Sequence, residues 1–287
     1  MSSLIPEWFL SAFALATVIT VMVDLGLGIV PGEFLWIWRR PGLLLKALFA
    51  VLVAVPAIAV LVSRLLGLPR AAEIGLVVMA ISPGAPAALK RTLGAGGNRS
   101  FAPGLQITVA LLAVVSMPLS IAALDEVYAG SASVAPLKLM KQVFTAQLLP
   151  LGVGVCLGRF FPRAAHWLEP RLDRIWKVLM VTLVVLAIIG FWGAIVMAGP
   201  VVALAAALTT LGAAAVGHAL GGQDPTVRTA IAIAASARNP ALALLVVAVN
   251  AAPLAVKATV LSYIVVSALT IVPYLYWRQR RGHGAVA

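Results

Sequence analysis

Apolar runs of about 20 residues follow one another from near the start of the chain to near its end, each set off by charge, glycine or proline. As a helix rising 1.5 Å per residue, such a run crosses the roughly 30 Å hydrocarbon core of a bilayer. Hydrocarbon offers no partner to backbone N–H and C=O groups, so these runs must fold as helices that close their own hydrogen bonds. The expected class is therefore an all-α polytopic membrane protein. Composition agrees: 62% of the residues are hydrophobic and 10% charged, where a soluble domain carries about 25% charged residues. Nine spans are predicted, near 8–30, 42–66, 72–94, 102–124, 137–160, 174–197, 200–220, 226–250 and 254–277.

The net charge of +12 does not point to nucleic acid, because Lys and Arg are dispersed between apolar runs rather than gathered on one module. They read as topology signals. Fifteen of the 21 fall in alternate loops and the C-terminal tail, five on the other side, and Arg238 within a span. That bias predicts an N-terminus outside and a C-terminus in the cytoplasm; the expected location is the plasma (inner) membrane. The N-terminal run has no basic segment before it and is too long for a signal peptide, so no cleaved leader is expected. The single cysteine, Cys156, excludes an intramolecular disulfide.

Two spans are broken. The third reads Ser82-Pro83-Gly84-Ala85-Pro86, and the eighth Ser236-Ala237-Arg238-Asn239-Pro240. Proline removes a backbone donor and clashes with the preceding turn. The freed groups survive at membrane depth only inside protein or against a wet cavity. Taking residues 1–124 (spans 1–4) as one repeat, 125–165 as a linking fifth span and 166–287 (spans 6–9) as a second repeat puts a break third in each. The units start on opposite sides, so they are inverted repeats. Paired broken helices in inverted repeats point to a midplane site in a secondary transporter.

Few polar residues lie inside the spans. Arg238 is the candidate clamp for a substrate carboxylate, because an intramembrane charge is costly and functional by default. Asp24 and Lys90 are coupling candidates, with Asp24 paired to either Lys90 or Arg238. Asn239, Ser236, Ser82, Gly84, Gln106 and Thr108 are candidate substrate-binding residues near the crossing. Hydroxyls in membrane helices commonly bond their own helix carbonyls instead. Gln142 and Gln147 are weaker candidates of the same kind. No histidine–carboxylate cluster has metal-ligand spacing, and no nucleophile–base–acid set is present, so neither a metal, a cofactor nor an enzyme is expected.

The ordered set Gly26-Leu27-Gly28, Pro31-Gly32-Glu33-Phe34, Pro56, Leu65-Leu66-Gly67-Leu68-Pro69, Ser82-Pro83-Gly84-Ala85, Met117-Pro118-Leu119 and Arg228-Thr229-Ala230 leading to Arg238-Asn239 resembles the bile acid:sodium symporter family. The resemblance implies a core domain with two crossing broken helices and a panel domain that moves against it. It also implies carriage of organic anions driven by sodium. The family's sodium ligands include an acidic residue and a glutamine in the second break, and a Ser-Asn pair after the first. The corresponding residues here are Ala234, Arg238, Ala88 and Leu89. A guanidinium at that place repels sodium, and hard cations want oxygen ligands.

The expected function is transport of a small organic anion by alternating access, coupled to protons or uncoupled rather than classically sodium-coupled. The alternatives are a sodium-coupled symporter with a rearranged ion site, and a non-transporting membrane receptor of the same fold. The expected partners are the anion, membrane lipid and protons, and not nucleic acid.

Overall fold

The computed structural model describes residues 6–29, 36–127 and 136–283; the motif at 31–34 lies outside them. Among the described residues the chain is helical, with no strand. The helices are α1 (Glu7–Leu27), α2 (Pro41–Leu65), α3 (Arg70–Ala80), α4 (Pro86–Gly94), α5 (Ala102–Val127), α6 (136–160), α7 (Pro162–Leu220), α8 (Pro225–Ser236), α9 (Pro240–Val249), α10 (Leu254–Thr270) and α11 (Val272–His283).

Among the described residues, seven stretches are long and apolar enough to cross a membrane, with α8–α9 and α10–α11 each forming one of them. Large apolar side chains stand exposed along α2, α6 and α7, among them Leu61, Phe144, Val178 and Met197. An apolar surface this extensive is out of place in water and suits lipid. The polypeptide is thus an integral membrane protein.

Proline placement shapes the helices. In α2 a π-helical turn, Phe49–Ala54, comes just before Pro56, and in α6 another, Phe144–Leu148, comes just before Pro150. The wider turn takes up the ring that a regular α-turn would exclude. α7 has 59 residues, about 88 Å if straight. It is interrupted at Gly199 (φ 80°, ψ 173°), followed by Pro200, so the helix ends and restarts there. Only glycine takes that backbone conformation without strain.

Packing is closest where side chains are smallest. α1 lies against α6 so tightly that a Cβ on Gly154 would stand 2.3 Å from the Val23 carbonyl oxygen, and one on Gly26 2.4 Å from that of Leu151. Small residues let membrane helices gain dispersion contacts that lipid alone would equalise. α3 packs against α10, and α7 against both α8 and α10. This brings residues 81–85, between α3 and α4, next to residues 237–239, between α8 and α9.

Candidate functional site

The two interruptions touch. The Asn239 N–H donates to the Ser82 carbonyl at 2.9 Å. Asn239 also caps α9: its Oδ1 accepts from the Leu242 N–H at 3.1 Å, while its Nδ2 is buried without a partner. A buried amide donor left unpaired is costly, which makes it a candidate for a ligand contact. Gly84, at φ +79°, lies with its Cα face against the backbone of Ala110 on α5. Any side chain there would be strained by the positive φ, although a Cβ would meet Ala110 at an ordinary contact distance of 3.5 Å.

Arg238 is 5% exposed. Its Nε donates to the Ala235 carbonyl at 3.1 Å, and Nη2 reaches the same oxygen. Nη1 donates to the Ala80 carbonyl at 2.9 Å and to the Val51 carbonyl at 3.1 Å. Four of the five guanidinium N–H groups are thereby committed to backbone oxygen, which leaves one for a ligand. A fork-like, bidentate grip on a carboxylate is not open to it.

Beside this guanidinium is an apolar cavity of about 420 Å³. Met180, Val184 and Ile188 of α7 and Ile264 of α10 are part of its lining, as are Ser236, Arg238 and Arg91 of α4. Its size falls within the range of small-molecule sites.

A second cavity, about 460 Å³, lies among α1, α4, α5 and the early part of α7, and several charged side chains are part of its lining. Asp24 and Lys90 both line it, with Glu169, Asp173 and Trp176. Their pairing differs from the sequence expectation. Asp24 Oδ2 accepts from the Trp176 indole N–H at 2.9 Å, and its Oδ1 is buried without a partner. Lys90 bonds Asp173, which Lys177 also reaches at 2.7 Å. The Lys90 ammonium stands 5.7 Å from the Trp176 ring centre. Arg238 is engaged by carbonyls and does not pair with Asp24.

Residues 15–205, about two thirds of the chain, match the Sodium Bile acid symporter family. The chain belongs to that family. Members of the sodium bile acid symporter family are membrane transporters rather than enzymes, and a transport role follows for this chain. No curated protein matches it.

Within this family frame, Asp24, Ser82, Gly84, Lys90, Gln106 and Thr108 fall inside the matched region, while Ser236, Arg238 and Asn239 follow it. The hydroxyls of Ser82, Thr108 and Ser236 donate to carbonyls four residues earlier on their own helices (Val78, Gly104 and Ala232). As donors they are spent, so any ligand role is as acceptors. Gln106, 4% exposed, keeps an unpartnered Nε2 on α5.

Several residues that matter at the crossing or elsewhere in the core drew no notice, or little, as sequence. Val51 contributes only a carbonyl; in a regular α-turn Pro56 would deprive the Leu52 oxygen of its donor, and only the π-turn passes that loss to Val51. Asp173 and Trp176 fall at the start of the predicted span near 174–197 and are not singled out there as site residues. Gln147 is completely buried in the π-turn of α6 with both amide atoms unpartnered, a stronger candidate than its sequence context suggested.

Proposed function

We propose that this protein is a secondary transporter that carries a small organic anion across the plasma (inner) membrane by alternating access. The observation that carries this reading is the 420 Å³ apolar cavity with a buried guanidinium at the meeting point of two interrupted helices. An apolar body with one negative group suits it: the walls offer contact area, and the positive charge lowers the cost of burying an anion. Asn239, Gln106 and the backbone at Ser82 and Gly84 are the groups we assign to substrate, with the hydroxyls of Ser236 and Thr108 as acceptors.

In this reading α3–α4 is a broken span, and α7 supplies two spans separated at Gly199–Pro200, which makes nine. They form inverted repeats at 1–124 and 166–287, linked by the span within 125–165. The N-terminus is outside and the C-terminus cytoplasmic. A core carrying the two breaks moves against a panel containing α1, α6 and the first half of α7. Coupling is to protons through Asp24, beside Lys90, or is absent, and sodium is not the driving ion.

A thermal-unfolding screen of organic acids on the purified protein identifies the ligand. Uptake of that acid into proteoliposomes should persist when choline replaces sodium. Val184→Trp, which fills the cavity, should abolish uptake while leaving the unfolding midpoint near that of the parent. Strict sodium dependence, or full uptake by the Trp variant, defeats the proposal.

A further inference from the structure

Three backbone carbonyls converge on the Arg238 side chain, and each lost its own donor for a separate reason. Val51 lies in a π-turn, where its partner would be the N–H five residues on, but that residue is Pro56 and has none. Ala80 is the last residue of α3, and the chain leaves the helix at Ile81 before a donor can return. Ala235 would take the N–H of Asn239, but that group donates across the crossing to Ser82. The C-terminal turns of α3 and α8 also carry the negative ends of their helix dipoles. Convergent carbonyls of interrupted helices are the kind of ligand field that holds a monovalent cation in transport proteins.

We infer that the Arg238 guanidinium is a tethered cation occupying a monovalent-cation site built from the Val51, Ala80 and Ala235 carbonyls. The charge is covalently held, so the site is filled in every state of the protein in which these carbonyls stay together. A free sodium ion does not fit beside it: the oxygens are already hydrogen-bonded, no carboxylate is among the guanidinium's ligands, and two like charges would share one small space. The consequence for coupling rests on the transporter reading above; the occupancy of the site does not.

The occupancy is tested on the purified full chain without substrate, by thermal unfolding in sodium chloride, choline chloride and millimolar guanidinium chloride. The parent protein should show the same midpoint in all three. Arg238→Ala, with the carbonyls stripped of their cation, should unfold several degrees lower in choline and recover part of that loss in sodium or in guanidinium. Arg238→Lys keeps a charge with fewer donors; it should fold with an intermediate midpoint and stay indifferent to sodium. It serves as the measurement if the alanine variant does not fold. A parent protein stabilised by sodium over choline overturns the inference, as does a folded alanine variant that ignores every cation, or a lysine variant that responds to sodium. Failure of uptake in proteoliposomes would count against the transport reading and leave these results standing.

Discussion

The Asn239 N–H donates to the Ser82 carbonyl at 2.9 Å, joining two helix breaks 157 residues apart in the chain. That bond diverts the donor that would have closed the last turn of α8, and the vacated Ala235 carbonyl passes to Arg238. A helix interruption at one place is thus completed by the interruption at another.

Asn239 is expected to serve both stability and binding. Asn239→Ala removes the α9 cap and should cost about 1 kcal/mol. Asn239→Asp keeps an acceptor for Leu242 N–H but replaces the unpartnered Nδ2 by an oxygen. It should retain the midpoint better than alanine and lose affinity for an anion. Calorimetric or fluorescence unfolding, paired with ligand-induced shifts of the midpoint, separates the two effects.

The contact between α1 and α6 should tolerate no added carbon. Gly154→Ala places a methyl group 2.3 Å from the Val23 carbonyl oxygen, and overpacking of this kind costs about 1–3 kcal/mol. Gly152→Ala meets nothing within 4 Å and should be neutral or stabilising by up to about 1 kcal/mol through helix propensity. Unfolding midpoints of the two variants in one detergent should move in opposite directions, or only the first should fall.

At the cavity that holds Asp24 and Glu169, the Lys90–Asp173 pair joins α4 to α7 with the lysine side chain half exposed. A double-mutant cycle with Lys90→Ala and Asp173→Ala should give a coupling of no more than about 1 kcal/mol in stability. Uptake should change far more, because the pair lies between an interrupted helix and the proposed panel. Asp24→Asn can still accept from the Trp176 indole, so its midpoint should hold while any dependence of uptake on a pH gradient disappears. A pH response that survives this variant removes Asp24 from coupling.

Asp224 caps α8 outside the spans, its Oδ1 accepting from the Thr226 N–H at 2.8 Å and hydroxyl at 2.7 Å. Burial pushes this carboxyl up, but the bonds from Thr226, the Val227 N–H and the charge of Arg40 outweigh it and hold it below its ordinary value. A depressed folded value means the stabilisation is present above the unfolded pKa, near 3.9, and is lost as pH falls through the lower folded one. Asp224→Ala should therefore be less stable by about 1 kcal/mol at neutral pH, and the gap should narrow below about pH 4. Unfolding midpoints across that range provide the check.

Sequence alone determined the class of the protein and marked where proline would interrupt a helix. Both are local consequences of solvent and backbone: hydrocarbon demands self-bonded helices, and Pro83, Pro86 and Pro240 remove donors wherever they stand. It also marked Arg238 and Asp24 as costly charges, because cost depends on depth in an apolar run. What those charges touch was decided by packing. Asp24 meets Trp176, 152 residues away, since α1 and α7 lie side by side. Arg238 turns to Val51 and Ala80 because their carbonyls are brought to it bare. A carbonyl oxygen has no letter in the sequence, so the ligands of this guanidinium become visible only once the helices that lost their donors are assembled around it.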